Sequence, residues 1–204
     1  MTELAAQVNA TVSAEVNFAD ALQNSKSFKE AYKMADFLSK SSLIPEKFQG
    51  KASDILLALG LAARLKVSLI EVLNGINIIK GQPTFSAQFA ITLANTRGPF
   101  VGSISYIVEG EGPSLKVTAK ATLKTGGEES ATVSMEMARA EGWTKNPKYQ
   151  TMPEHMLKLR AATFLIREVC PEVLAGYMTV GEADDIRSNQ AAHLNRRLKE
   201  LENV

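Results

Sequence analysis

Two arginines stand on a stretch that is apolar over most of its circumference. Between Glu154 and Val169, Leu157, Leu159, Ala161, Ala162, Leu165, Ile166 and Val169 cover most of a helix. At about 100° per residue, Arg160 and Arg167 fall almost in register, two turns apart. A guanidinium in such surroundings needs a partner, because burying an unpaired charge is costly. One partner is a core carboxylate such as Glu136. The other is a phosphate, which the guanidinium fork fits well. Spacing alone favours the internal ion pair, since a buried arginine usually pairs within its own protein.

The loop before this helix points the other way. Lys145 and Lys148, with Lys158 just inside the helix, surround Trp143 and Tyr149. Basic side chains interleaved with aromatic rings suit a single-stranded nucleic acid: charge meets the backbone and ring faces meet the bases. A lone tryptophan is more often packed in a core, so Trp143 reads as structural. Tyr149, between Lys148 and Gln150, is the ring expected to stack. Lys116, Lys120 and Lys124 form a second basic row on one strand, where lysines also guard against edge aggregation. That row makes a poor site. Lys80 and Arg97 are single cations at turns.

Other chemistries lack their residues. The only histidines are His155 and His193, and Cys170 is the one cysteine. There is no His-Glu-x-x-His, Cys-x-x-Cys or Gly-x-Ser-x-Gly pattern. Gly110, Gly112, Gly126 and Gly127 lie between strand-like runs, so none opens a helix as a phosphate loop must. An ATP-driven motor, a resident cofactor and an enzyme are therefore not expected. A nuclease built on scattered acids has nothing local to recommend it.

The elements that must position these residues follow from periodicity. Helical spacing runs from Phe28 to Leu38, and again from Ser53, as N-cap, to Leu65. Ser68 caps a short helix ending near Gly75. Ile76–Ile79 reads as a strand, Lys80-Gly81-Gln82-Pro83 as a turn, and Thr84-Phe85 as a return strand. Ser86 caps a helix that ends at Arg97-Gly98-Pro99. Three alternating strands follow: one with Ile104, Tyr106 and Val108 inward; one with Leu115 through Leu123; and one with Ala131, Val133, Met135 and Met137. They predict an antiparallel meander with one wet face. Residues 143–153 read as an irregular loop. Pro153 opens the long helix, Pro171 stops it, and Thr179 caps a short acidic helix bearing Glu182, Asp184 and Asp185.

The fold class expected is α+β, a meander and hairpin packed with helices. The chain of 204 residues divides into a loose leader (1–26), a core (27–187) and a C-terminal helix or tail (188–204) with a Leu194, Leu198 and Leu201 stripe. Twenty-three basic against 22 acidic side chains leave a net charge of +1, so only local clustering of charge speaks for nucleic acid. No apolar run reaches the roughly 20 residues of a membrane helix, and no secretory signal is visible. A cytoplasmic location is expected.

Two stretches carry a resemblance. Residues 76–95, INIIKGQPTFSAQFAITLAN, pair a strand and Gly-x-Pro turn with a Ser-Ala-Gln helix start. Residues 146–186 join Tyr149-x-x-x-Pro153, Met156-x-x-x-Arg160-Ala161 and Gly176-Tyr177-Met178-Thr179 followed by acids. Together they resemble the RecT and Redβ type of phage single-strand annealing protein, over roughly Phe28 to Arg187. The resemblance implies a fold distantly like that of Rad52. It implies ATP-independent binding of single-stranded DNA, annealing of complementary strands in recombination within a bacterial host, and assembly into homo-oligomeric rings or filaments. It also implies recruitment of a partner exonuclease or host single-strand-binding protein, through a C-terminal tail in longer members. The family's basic positions fall on Arg160 and Arg167, which turns those two from core pairs into phosphate ligands. Where one branch of the family has a basic residue after the helix-starting proline, this chain has Glu154, and Lys148 or Lys145 would substitute. Lys158 joins them on the backbone, Tyr149 stacks on a base, and Lys80, Gln88 and Arg97 close the groove. The alternative is an oligomeric scaffold or adaptor that does not bind DNA.

Overall fold

The computed structural model describes residues 24–79 and 81–187. Lys80, most of the leader and the Leu194/Leu198/Leu201 stripe lie outside the described residues. The chain forms two compact units that divide between Asn74 and Gly75, inside the span that sequence reads as one core. No linker marks the division, because a helix runs directly into a strand there.

In the first unit, α1 (Ser25–Ser39) is capped by the Asn24 side chain, which accepts from the Lys26 amide at 2.9 Å. Its small residues Ala31 and Ala35 are buried, which lets it lie close along α2 (Ala52–Leu65). From α2, Ile55, Ala58, Leu61 and Ala62 are buried. The helix starts before Ser53, which stands within its first turn instead of capping it. α3 (Leu69–Gly75) opens on a reciprocal capping box. Ser68 Oγ accepts from the Glu71 amide at 3.2 Å, and Glu71 accepts from the Ser68 amide at 2.8 Å.

In the second unit, β1 (Ile76–Ile79) pairs antiparallel with β2 (Gln82–Phe85). Ile79 faces Gln82, so the turn holds only two residues and Pro83 belongs to the strand. Proline is tolerated there because a two-stranded ribbon is all edge. Ser86 caps α4 (Ala87–Arg97), accepting from the Phe89 amide at 3.1 Å. β3 (Ser105–Glu109), β4 (Lys116–Thr122) and β5 (Glu128–Ser134) form the expected meander in the order β3-β4-β5. Val117, Ala119, Ala121, Ala131 and Val133 point to the core. The third alternation stops early: Ser134 caps α5 (Met135–Ala140), accepting from the Met137 amide at 3.1 Å. Met135 and Met137 are therefore helical, because a well-placed N-cap outweighs two more alternating positions. In β3 the inward pattern is kept at Ile104, which is buried, and at Tyr106, which is half-buried. It is lost at Val108, 39% exposed, since the long helix covers β4 and β5 more than this edge strand.

The stretch read as an irregular loop is partly helical, with a 3-10 turn at Trp143–Lys145 and α6 (Lys148–Thr151). Pro153 then opens α7 (Pro153–Val169), as its fixed φ allows. The helix lies across β4 and β5 and against α4. Among the described residues no helix is long and apolar enough to cross a membrane. The observed class is α+β with small antiparallel sheets.

Candidate functional site

Both guanidinium forks on α7 hold carboxylates. Arg160 Nη1 donates to Asp185 Oδ2 at 2.7 Å and Nη2 to Asp185 Oδ1 at 2.9 Å. Arg167 Nε donates to Glu182 Oε1 at 2.6 Å and Nη2 to Glu182 Oε2 at 2.8 Å. These are bidentate, charge-assisted pairs, the strongest kind of hydrogen bond available to arginine. The order 160 with 185 and 167 with 182 means that the helix over 180–187 runs opposite in sense to α7. Internal pairing, which spacing favoured, is thus what the structure contains, with different acids. Glu136 is exposed on α5 and takes no part.

The two rungs differ in depth. Arg160 is 8% exposed. Its guanidinium lies 4.2 Å from the centre of the Trp143 ring. It also donates, at longer range, to Tyr149 Oη at 3.3 Å and to the Gly181 carbonyl at 3.4 Å. Burial works against its charge, but Asp185 and Tyr149 outweigh it and hold its pKa above the ordinary arginine value. Gly181 makes the approach possible: a Cβ there would stand 2.9 Å from Arg160 Cζ. Arg167 is less covered, its side chain 30% exposed, and it also donates to the Tyr177 carbonyl at 2.7 Å.

Glu182 has two duties. Its carboxylate accepts from the Thr179 amide at 2.6 Å and the Thr179 hydroxyl at 2.9 Å, closing the cap that sequence expects, while it holds Arg167. Burial pushes its pKa up, but Arg167 and the two Thr179 donors hold it below the ordinary value. Thr179 is fixed by β2: Phe85 donates its amide to the Met178 carbonyl at 2.8 Å, and the Phe85 and Tyr177 rings stack 4.9 Å apart.

Beside the deeper rung opens a cleft of about 570 Å³. Ser86, Ala87 and Gln88 at the start of α4 form one wall. Trp143, Lys145, Lys148 and Tyr149 form another, and Arg160, Gly181, Asp184 and Asp185 lie along the third. Cations and acids are nearly balanced. Asp185 occupies Arg160, and Asp184 holds Arg187 at 2.7 Å. Lys145 and Lys148 are exposed and make no ion pair among the described residues. They are the cleft's uncommitted charge.

No family model, curated protein or solved structure matches the chain. The site therefore rests on its own geometry.

Of the nine residues expected to bind DNA, five line this cleft: Gln88, Lys145, Lys148, Tyr149 and Arg160. Tyr149 is not the exposed stacking ring that its basic neighbours suggested. It is 3% exposed, and burial raises its pKa. The 3-10 turn and α6 fold that stretch inward, and its hydroxyl serves Arg160. Trp143 is 7% exposed and packs edge-on against Phe164 at 6.0 Å, as a lone tryptophan usually does. Its indole Nε1 is buried without an acceptor. Lys158 stands two residues, hence about 200°, from Arg160. It pairs with Glu154 at 2.6 Å and reaches towards the Tyr106 ring on β3, away from the cleft. Arg97 ends α4, about 13 Å along the axis from Gln88, and is not in the lining. Arg167 holds the outer rung. Lys80 lies outside the described residues.

The lysines on β4 and just past its end have local uses. Lys116 pairs with Glu109 at 3.3 Å, Lys120 pairs with Glu128, and Lys124 donates to the Gly98 carbonyl at 2.9 Å. Sequence reasoning named Glu182 and Asp185 as acids on a capped helix but did not see them as partners. The usable signal was their spacing. Acids three apart share a helix face, as do arginines seven apart.

Proposed function

We propose that the chain binds single-stranded DNA in the cleft beside α7 and anneals complementary strands without ATP. One observation carries the reading. The two stretches that resemble RecT and Redβ proteins are 50 residues apart in the sequence, yet both supply walls of one cleft, Ser86 to Gln88 from the first and 146–186 from the second. A distant kinship with the Rad52 fold, a phage origin and homo-oligomeric assembly belong to the same proposal.

The roles differ from those that spacing alone suggests. Lys145 and Lys148 neutralise phosphates, since their ammonium groups are exposed and uncommitted. Gln88 and the first turn of α4, where the helix dipole is positive, line the same cleft. Arg160 and Arg167 are positioning residues that hold the 180–187 helix as the third wall. Such contacts read no sequence. Selection comes from base pairing, about 1.4 kcal/mol per stacked step, once the lysines have reduced repulsion between two phosphate rails.

The test is annealing of two labelled complementary oligonucleotides without ATP across a salt series. The affinity for single strands should fall with salt at a slope of about −0.7 per phosphate contacted. Lys145→Glu with Lys148→Glu should flatten that slope by about 1.4 and slow annealing while circular dichroism is unchanged. An unaltered slope overturns the cleft. Assembly of the protein with no mobility shift of any oligonucleotide would favour the scaffold instead.

A further inference from the structure

The first unit carries a second set of uncommitted cations. At about 100° per residue, Lys26, Lys29, Lys33 and Phe37 of α1 fall within about 80° of one another. They face away from Ala31 and Ala35, which are buried. The three lysines are exposed, and none makes an ion pair among the described residues. The sheet lysines, by contrast, all have partners. Of the acids nearby, Asp36 is held by Lys40 at 2.7 Å, and Glu30 stands at the edge of the arc. Three ammonium groups thus face outward against one carboxylate. At the edge of the arc, one turn past Lys33, lies Phe37, 77% exposed, on a face where no packing requires an aromatic ring.

We propose that this face of α1 is a second contact for single-stranded nucleic acid, with the lysines on the phosphates and Phe37 stacked on a base. Charge and a ring on one arc is the arrangement that meets a strand's backbone and a base together. A membrane-surface helix needs its apolar side free and its cations flanking it. Here the side opposite the lysines, with Ala31 and Ala35, lies against α2. Phe37, with the partly exposed Phe28, Tyr32 and Met34, which stand outside the lysine arc, does not replace it. The inference rests on the proposed ligand class but on residues of the other unit, so it stands or falls separately from the cleft.

The experiment uses the full chain and a labelled oligothymidylate in a salt series. Lys26→Glu, Lys29→Glu and Lys33→Glu together should flatten the salt slope by about 2. Phe37→Ala should weaken binding roughly tenfold with the slope unchanged, and Phe37→Tyr should restore it. Unchanged affinity and slope in folded α1 variants overturn the proposal, and the same holds if only the Lys145 and Lys148 variants lose binding. Loss in the α1 variants with the cleft variants unaffected supports this surface and overturns the cleft. If the α1 variants lose binding to phosphatidylserine vesicles while the oligonucleotide still binds, the face serves a membrane and the proposal fails.

Discussion

At the scale of single residues, the depth of each ion pair decides what it contributes. Arg160 is buried, so removing the charge of Asp185 would strand a guanidinium away from water. Asp185→Asn should cost about 3 kcal/mol, measured by urea unfolding. The Arg167–Glu182 pair is partly solvated, and exposed pairs contribute about 1 kcal/mol or less. Glu182→Gln should cost no more than that, because a glutamine side chain can still accept from the Thr179 amide and keep the cap. Acid tests the outer pair. The Glu182 pKa is lowered on folding from an ordinary 4.5, so the unfolded chain binds its proton first as pH falls. Its stabilising contribution is complete above about pH 4.5 and is lost as the pH drops through the lower folded value. Unfolding free energies between pH 6 and 3 should therefore fall less steeply in Glu182→Gln than in the parent. Parallel curves would show that the carboxylate is not held by Arg167.

At the scale of elements, the helix over 180–187 needs close approach. Gly181 sits where a side chain would meet the Arg160 guanidinium, and that group cannot step aside without leaving Asp185, Trp143 or Tyr149. Gly181→Ala should destabilise the second unit by about 1–3 kcal/mol, as overpacking does, although alanine is the better helix former. Thermal unfolding read beside a control alanine at exposed Glu168 would show it. A gain in stability at Gly181 would mean that the two helices can separate freely. The element boundaries were legible where a cap or proline marks them, as at Ser68, Ser86, Pro153 and Thr179, but not at Asn24, which caps α1 from inside the stretch read as a leader. They were misread where a cap interrupts a strand pattern. Ser134 ends β5 because its hydroxyl meets an amide three residues on, and alternation over Met135 and Met137 carries no trace of that.

At the scale of the whole molecule, Cys170 reports on opening. It is fully buried between α7 and the Pro171 turn, and burial with Glu172 nearby raises its pKa to about 11. A thiol reagent at pH 8 should therefore label the protein only as fast as it unfolds. Rapid stoichiometric labelling of the folded chain would contradict that burial. The division between Asn74 and Gly75 is a property of this scale as well. α3 passes into β1 without a proline, a glycine-rich stretch or a change in composition, so no local signal announces it.

The sequence by itself determined the α+β class, the meander, the long helix and its two arginines in register, because periodicity and caps act over a few residues. The partners of those arginines, the burial of Tyr149 and the turning of Lys158 away from Arg160 were decided only by tertiary structure. Which carboxylate meets a guanidinium depends on how a helix more than ten residues further along the chain packs back. Spacing within one segment fixes direction around its axis, while packing fixes what stands opposite.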